Sequence, residues 1–203
     1  MDAVFLSRIQ FALAAGFHFI FPPLTMGVGL IIFINEVVFL KTKNQMNRNI
    51  SKFLVKILAL VFSIGVATGI VLEFLFGTNW SNYSRIVGDI FGAPLAAEGV
   101  IAFFLESVFI GVLLFGRDRV SERIYCLSAF LVFFGSHLSG LWIIIANSWM
   151  QTPAGFAIDG GRAVLTNFID AAVNYSTMQR YLHTIVGAWI SGSLFLAGIS
   201  SFY

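Results

Sequence analysis

Apolar residues run along the chain in five long blocks, at about 11 to 40, 54 to 76, 94 to 115, 124 to 147 and 181 to 203, separated by short polar interruptions. Each block is long enough, at ~1.5 Å per residue, to cross a hydrocarbon core of about 30 Å as a helix. The pattern predicts an all-α fold, a polytopic transmembrane helical bundle of about five membrane-spanning helices. Pro22-Pro23 falls inside the first block and removes backbone donors, which should kink or interrupt that helix. The alternative is a short interfacial helix to about Phe21 followed by the crossing proper. The segment from Gly77 to Ala93, with Asn79, Trp80, Ser81, Asn82 and Tyr83, reads as an interfacial loop. The longest polar stretch, 148–180, holds Pro153, Gly155, Gly160 and Gly161 and also reads as loop.

Composition turns this pattern into an exclusion. Residues are 58% hydrophobic and 11% charged, against ~25% charged in soluble domains, so the chain is not a soluble globular protein. The formal charge is only +2 and the cations are dispersed over loops, which argues against nucleic acid as a partner. Cys126 is the lone cysteine, with no cluster of zinc ligands near it, and reads as a small apolar filler. Phe 23 and Gly 19 fit a tightly packed bundle able to hold a large planar ligand. Residues 1–10 contain Asp2 and Arg8 and no A-x-A-like site, so they do not read as a removable signal. The sequence stops at Ser200-Ser201-Phe202-Tyr203 while still apolar, which suggests a fragment.

Lysine and arginine set an expected orientation. Lys41, Lys43, Arg48 and Lys52 follow the first block and Arg117, Arg119 and Arg123 the third, against Arg8, Arg85, Arg162 and Arg180 opposite. The clustered majority places loops one and three in the cytoplasm and the N-terminus outside.

Ionisable groups inside a membrane cost about 2.5–3.5 kcal/mol on insertion scales, so each is a candidate functional residue. Here they are His18, Glu73, Glu98, Glu106, His137 and His183, with Glu36 near a block end where it could reach water. A neutral imidazole at His18, toward the outer end of the first block, can ligate haem iron; equally it can be a hydrogen-bonded packing residue. His183 is about one turn inside the fifth block on the same side, with an interfacial histidine as its plain reading. Glu98 and Glu106 are eight residues apart, separated by about 12 Å of rise and about 80° of twist on a helix. They form a loose inward line able to pass protons through waters, or each bonds a neighbouring helix. Ser136, Ser139 and Asn147 read as ordinary interhelical bonding, while His137 stays open. Trp80, Trp142, Trp149 and Trp189 fit an aromatic belt.

The stretches Leu6-Ser7-Arg8-Ile9-Gln10-Phe11-Ala12-Leu13, Gly65-Val66-Ala67-Thr68-Gly69, Phe76-Gly77-Thr78-Asn79-Trp80, Val87-Gly88-Asp89-Ile90-Phe91-Gly92-Ala93-Pro94-Leu95 and Ala102-Phe103-Phe104-Leu105-Glu106-Ser107 resemble subunit I of the cytochrome bd-type quinol oxidases of bacterial respiratory membranes. Occurring in order between residues 6 and 107, they are more specific together than any one motif. The resemblance implies a multi-pass protein of the bacterial cytoplasmic (inner) membrane. Its complex takes electrons from quinol at the outer face, passes them through a low-spin haem b to a high-spin haem b and haem d, and reduces dioxygen to water. Protons would be released outside and taken up from the cytoplasm, separating charge without pumping.

By the same resemblance His18 matches a histidine ligand to one high-spin haem iron and His183 the histidine ligand of the low-spin haem b. Glu98 matches an acid beside the high-spin haems and Glu106 an acid of their proton path. Subunit II, small accessory subunits and lipid are the implied partners. Residues 1–203 would form a single transmembrane haem-binding domain, the N-terminal half of a longer subunit. The other half would supply the methionine opposite His183, a glutamate ligand and the quinol loop, so the 203 residues alone would not turn over quinol. His137 stands where some members have asparagine. The competing reading is a haem-free transporter or channel-like bundle with Glu98 and Glu106 as ion carriers; a third is a truncated product with only a structural role.

Overall fold

A computed structural model describes residues 2–99 and 103–202. Helix α1 (Ala3–His18) starts on Asp2, whose carboxylate accepts from the Val4 N–H at 3.2 Å, and stops at a break over residues 19–20. Helix α2 (Phe21–Thr42) then begins with Pro22 and Pro23 in its first turn. Prolines have no N–H to give to the preceding turn, but they suit a helix start, where those donors would be unpaired anyway. The sequence alternative of a short helix followed by the crossing is therefore the observed one. Lys43, with φ of 58°, turns the chain out of α2, and Asn44 caps α3 (Gln45–Thr78) by accepting from Met46 N–H at 2.9 Å.

The segment expected as a loop between Gly77 and Ala93 is helical instead. Helix α3 runs to Thr78 and α4 (Ser81–Ala97) starts after Asn79 and Trp80. Its interfacial composition describes a helix face rather than a loop. Glu98 and Gly99 continue in π-helical backbone, and α5 (Phe103–Phe115) follows. The third predicted block thus crosses 100–102, which lie outside the described residues, as do Ala102 of the last family-like stretch and Tyr203.

Helix α6 (Glu122–Gln151) is capped by Ser121, and α8 (Thr177–Ser200) closes the bundle, starting one turn earlier than the fifth block suggested. Between them, the expected loop holds an antiparallel hairpin, β1 (Phe156–Asp159) with β2 (Arg162–Leu165), and a short α7 (Phe168–Ala172). Asp159 pairs with Arg162 across a two-residue turn, Gly160-Gly161, with φ of 53° and 76°. Two successive positive φ angles favour glycine and match the right-handed twist of a hairpin. Asp89 on α4 anchors β2 by accepting the Leu165 N–H at 2.7 Å.

Among the described residues, four stretches are long and apolar enough to cross a membrane: Ala3–Thr42, Gln45–Thr78, Glu122–Gln151 and Thr177–Ser200; Phe104–Phe115 is a shorter apolar helix. The main core joins Val28 and Ile32 of α2 with Leu58 of α3, Leu113 of α5 and Val132 of α6. At the α2–α8 crossing Gly27 and Gly192 bring backbones together. A Cβ on Gly27 would lie 2.7 Å from the Ala188 carbonyl oxygen and Gly192 Cα, so only glycine permits this approach.

The two loops placed on one side by charge meet in the structure. Lys43 pairs with Glu122, Arg48 with Asp118 at 2.9 Å, and Arg117 with Glu36 at 2.6 Å. Glu36, expected to reach water, is 1% exposed. The Arg117 guanidinium covers it while stacking on the rings of Tyr125 and Phe39, 4.2 and 5.3 Å from their centroids. The N-terminus lies at the other end, where Asn79 donates to Ser7 O and Gln10 Oε1.

Candidate functional site

Helix α1 lies antiparallel along the C-terminal half of α3. Its half-buried positions, Ser7, Phe11, Ala14, Ala15 and His18, recur at helical spacing and form the contact face. Phe11 meets Phe76 and Trp80 edge to face, each at 5.5 Å. At the inner end of that face the His18 ring reaches Thr68, near the middle of the α3 apolar run 57–77. Its Nδ1 lies 2.9 Å from Thr68 Oγ1, and Nε2 makes no hydrogen bond among the described residues. The ring fits because Gly69 has no side chain: a Cβ there would stand 3.2 Å from His18 Cε1. Gly65 does the same for the start of α2, where a Cβ would stand 3.2 Å from Phe21 Cβ.

His183 projects from α8 at the hairpin end, about two turns from the helix start rather than one. It faces a cleft of about 360 Å³ lined by Tyr175, Ser176, Gln179 and Arg180. The helix carrying it is fastened to α6 by polar contacts. Arg180 donates to Asn147 Oδ1 at 3.3 Å, Ser148 and Thr177 hydroxyls are 2.8 Å apart, and Asn174 donates to Ser148 Oγ at 3.1 Å. His18 and His183 share no hydrogen bond and stand on separate helices.

The two acids expected on one helix stand on two: Glu98 follows the end of α4 and Glu106 lies in the first turn of α5. Glu98 Oε1 accepts from Ser139 Oγ of α6 at 2.9 Å. Glu106 is 7% exposed and its Oε1 has no partner among the described residues. Glu98 lies within electrostatic reach of Glu73 on α3 and of Glu106 on α5. An unpartnered buried oxygen costs about 1–3 kcal/mol and fits a group that receives a proton or water rather than a packing contact.

His137, left open by the sequence, is fully engaged. Its Nδ1 is 2.7 Å from the Phe133 carbonyl and its Nε2 accepts from Trp189 Nε1 at 2.9 Å. A ring with both nitrogens committed is a packing histidine bridging α6 and α8. Trp189 and Trp149 are accordingly not simple belt residues: Trp149 is buried and donates to Ala154 O at 2.9 Å. Sequence reasoning passed over Thr68, and read Ser139 as ordinary bonding between helices. Thr68 sits within the glycine-flanked run 65–69, and that flanking was its only signal.

The chemistry available is two imidazoles of a kind that can ligate a metal-bearing cofactor and two carboxyls, Glu106 buried and Glu98 part-buried. His18 fits such a ligand because one nitrogen is held and the other free. Among the described residues no cluster of three or more His, Cys, Asp or Glu could hold a bare metal ion.

Comparisons with known proteins bear on the chain as a whole. A model of the family described as cytochrome bd terminal oxidase subunit I matches residues 6–203. The chain is 45% identical to cytochrome bd-II ubiquinol oxidase subunit 1 of Escherichia coli (strain K12), covering all of this chain and 40% of that protein. It is also 45% identical to cytochrome bd ubiquinol oxidase subunit 1 of Bacillus subtilis (strain 168), over all of this chain and 43% of that one. The fold is similar to bd oxidase from Geobacillus thermodenitrificans, with a TM-score of 0.93 at 27% identity, covering 99% of this chain and 46% of that one. The chain therefore spans less than half the length of these relatives.

Proposed function

Because the chain belongs to the cytochrome bd terminal oxidase subunit I family, we propose that it forms a haem-bearing part of a respiratory quinol oxidase that reduces dioxygen to water. The observation that carries this reading is the His18 ring, held through Nδ1 by Thr68 and free at Nε2. Haem, when bound, supplies reversible one-electron chemistry and a site for dioxygen. His18 would hold a high-spin haem, of b or d type, and His183 the low-spin haem b, beside the cleft that its ring lines. Family membership does not favour the haem-free transporter.

Glu106 and the Glu98–Ser139 pair carry protons from the end where the basic loops meet toward His18. On this reading that end is cytoplasmic and the N-terminus is outside, in the bacterial inner membrane. Glu106 is the nearer acid to the basic loops along α5, and its unpartnered Oε1 can take up a proton arriving by water. Ser139 holds the next carboxyl in place while keeping a hydroxyl available for the transfer. Quinol, dioxygen, a second subunit and small accessory subunits complete the assembly. Residues 1–203 act as its N-terminal haem-binding half.

Reduced-minus-oxidised spectra of the complete complex test the assignment. His183→Ala should abolish the low-spin haem b signal and His18→Ala one high-spin contribution. Unchanged spectra in an assembled complex would refute each ligand in turn.

A further inference from the structure

The Thr68 hydroxyl has three neighbours and one hydrogen. Its Oγ1 lies 2.8 Å from the Ile64 carbonyl and 3.0 Å from that of Gly65, both on its own helix, and 2.9 Å from His18 Nδ1. A threonine in an apolar helix gives its hydrogen back to the preceding turn. The hydrogen between Oγ1 and the ring must then come from the ring, so Nδ1–H donates and Thr68 accepts, with the Gly65 backbone carbonyl also within the ring's hydrogen-bonding reach. In a neutral imidazole the proton on Nδ1 leaves the lone pair on Nε2, the form that can bind a metal. The opposite arrangement, with Thr68 donating to Nδ1, would put the proton on Nε2 and block it.

The surrounding glycines fix the ring as the hydroxyl fixes the proton. A Cβ at Gly69 would lie 3.2 Å from Cε1, 3.8 Å from Nδ1 and 3.9 Å from Nε2. The Cε1 edge therefore rests against the α3 backbone. The break over residues 19–20 sets the ring at the last residue of α1, where Pro22 and Pro23 prevent the helix from continuing past it.

We propose that Thr68 is a positioning residue for His18, holding it in the Nδ1–H tautomer and aiming the Nε2 lone pair at a haem iron. This rests on the reading of His18 as a haem ligand. Threonine is suited to the task because its second carbon branch stiffens χ1, and because its hydrogen is occupied within its own helix. A donating Nδ1–H also makes the imidazole a stronger donor to the metal.

The test uses the complete oxidase complex carrying Thr68→Ser, Thr68→Ala or Thr68→Val. Resonance Raman of the reduced form reads the iron–histidine stretching band, and redox titration reads the midpoint potential of the same haem. Thr68→Ala and Thr68→Val should move the band to lower frequency and raise the potential; Thr68→Ser should leave both at wild-type values. Serine and alanine both lack the methyl group and differ by the hydroxyl, so that pair decides the matter even where the valine variant does not assemble. Identical bands in Ser and Ala variants overturn the proposal. His18→Ala separates it from the reading beneath it. An unchanged haem spectrum there removes the ligand assignment itself, whereas haem loss there, with wild-type bands in every Thr68 variant, removes only the positioning role.

Discussion

Removing the Arg117 side chain should unfold the protein far more readily than removing any other cation of the two basic loops. Arg117 Nη1 is 2.6 Å from Glu36 Oε1, and the two side chains are 11% and 2% exposed. Arg117→Ala strands a buried carboxyl, and breaking a buried pair in this one-sided way costs about 3–5 kcal/mol. Loss of the stack on Tyr125 adds to this, at about 0.5–2 kcal/mol for a cation over an aromatic face. Lys43 is the internal control. Its pair with Glu122 is 58% and 48% exposed, so Lys43→Ala should cost far less than Arg117→Ala, water and salt screening an exposed pair. The double variant Glu36→Met with Arg117→Leu should recover most of the loss, because an apolar replacement of a buried pair is often neutral or stabilising. Equilibrium unfolding of the full-length subunit in mixed micelles measures all three. Equal costs for Arg117→Ala and Lys43→Ala, or no recovery in the double variant, would refute the reasoning.

Gly27→Ala should force α2 and α8 apart, since its Cβ would meet backbone at 2.7 Å. The expected loss is about 1–3 kcal/mol, read in the same unfolding experiment. His137→Phe should leave every haem band in place while destabilising by about 1–3 kcal/mol, because it orphans Trp189 Nε1 and the Phe133 carbonyl contact; a lost haem band would contradict its packing role. Gly161→Val places a branched side chain at φ of 76° and should loosen the hairpin by roughly 1–2 kcal/mol, seen as faster amide exchange across Phe156–Leu165 with the helical amides unchanged.

The helical bundle was legible because length and apolar content alone decide a membrane crossing, and because Pro22-Pro23 marks a break by chemistry rather than by statistics. The stretch between Gly77 and Ala93 was misjudged for a related reason. Polar and aromatic residues at an interface look the same in a loop and on one face of α4. The hairpin carried a local signature, Asp159-Gly160-Gly161 between short alternating runs, which the long polar stretch around it obscured. For the site, the histidines and acids stood out because ionisable groups are rare in apolar sequence. Their partners did not: Thr68, Ser139 and Arg117 are ordinary residues until folding sets them beside His18, Glu98 and Glu36, which lie 50, 41 and 81 positions away.

The clasp of three ion pairs also orders the assembly of the chain in time. Synthesis delivers α2, α3 and the turn between them first, with Glu36, Lys43 and Arg48, while their partners Arg117, Glu122 and Asp118 come 81, 79 and 70 residues later. During that interval the first hairpin of helices carries an acid without its cover and two cations without their counterions. The ion pairs at that end can close only when the turn between α5 and α6 lies on the same side. A chain with that turn on the other side would leave the buried Glu36 carboxyl without its guanidinium, at the cost of an uncompensated buried charge.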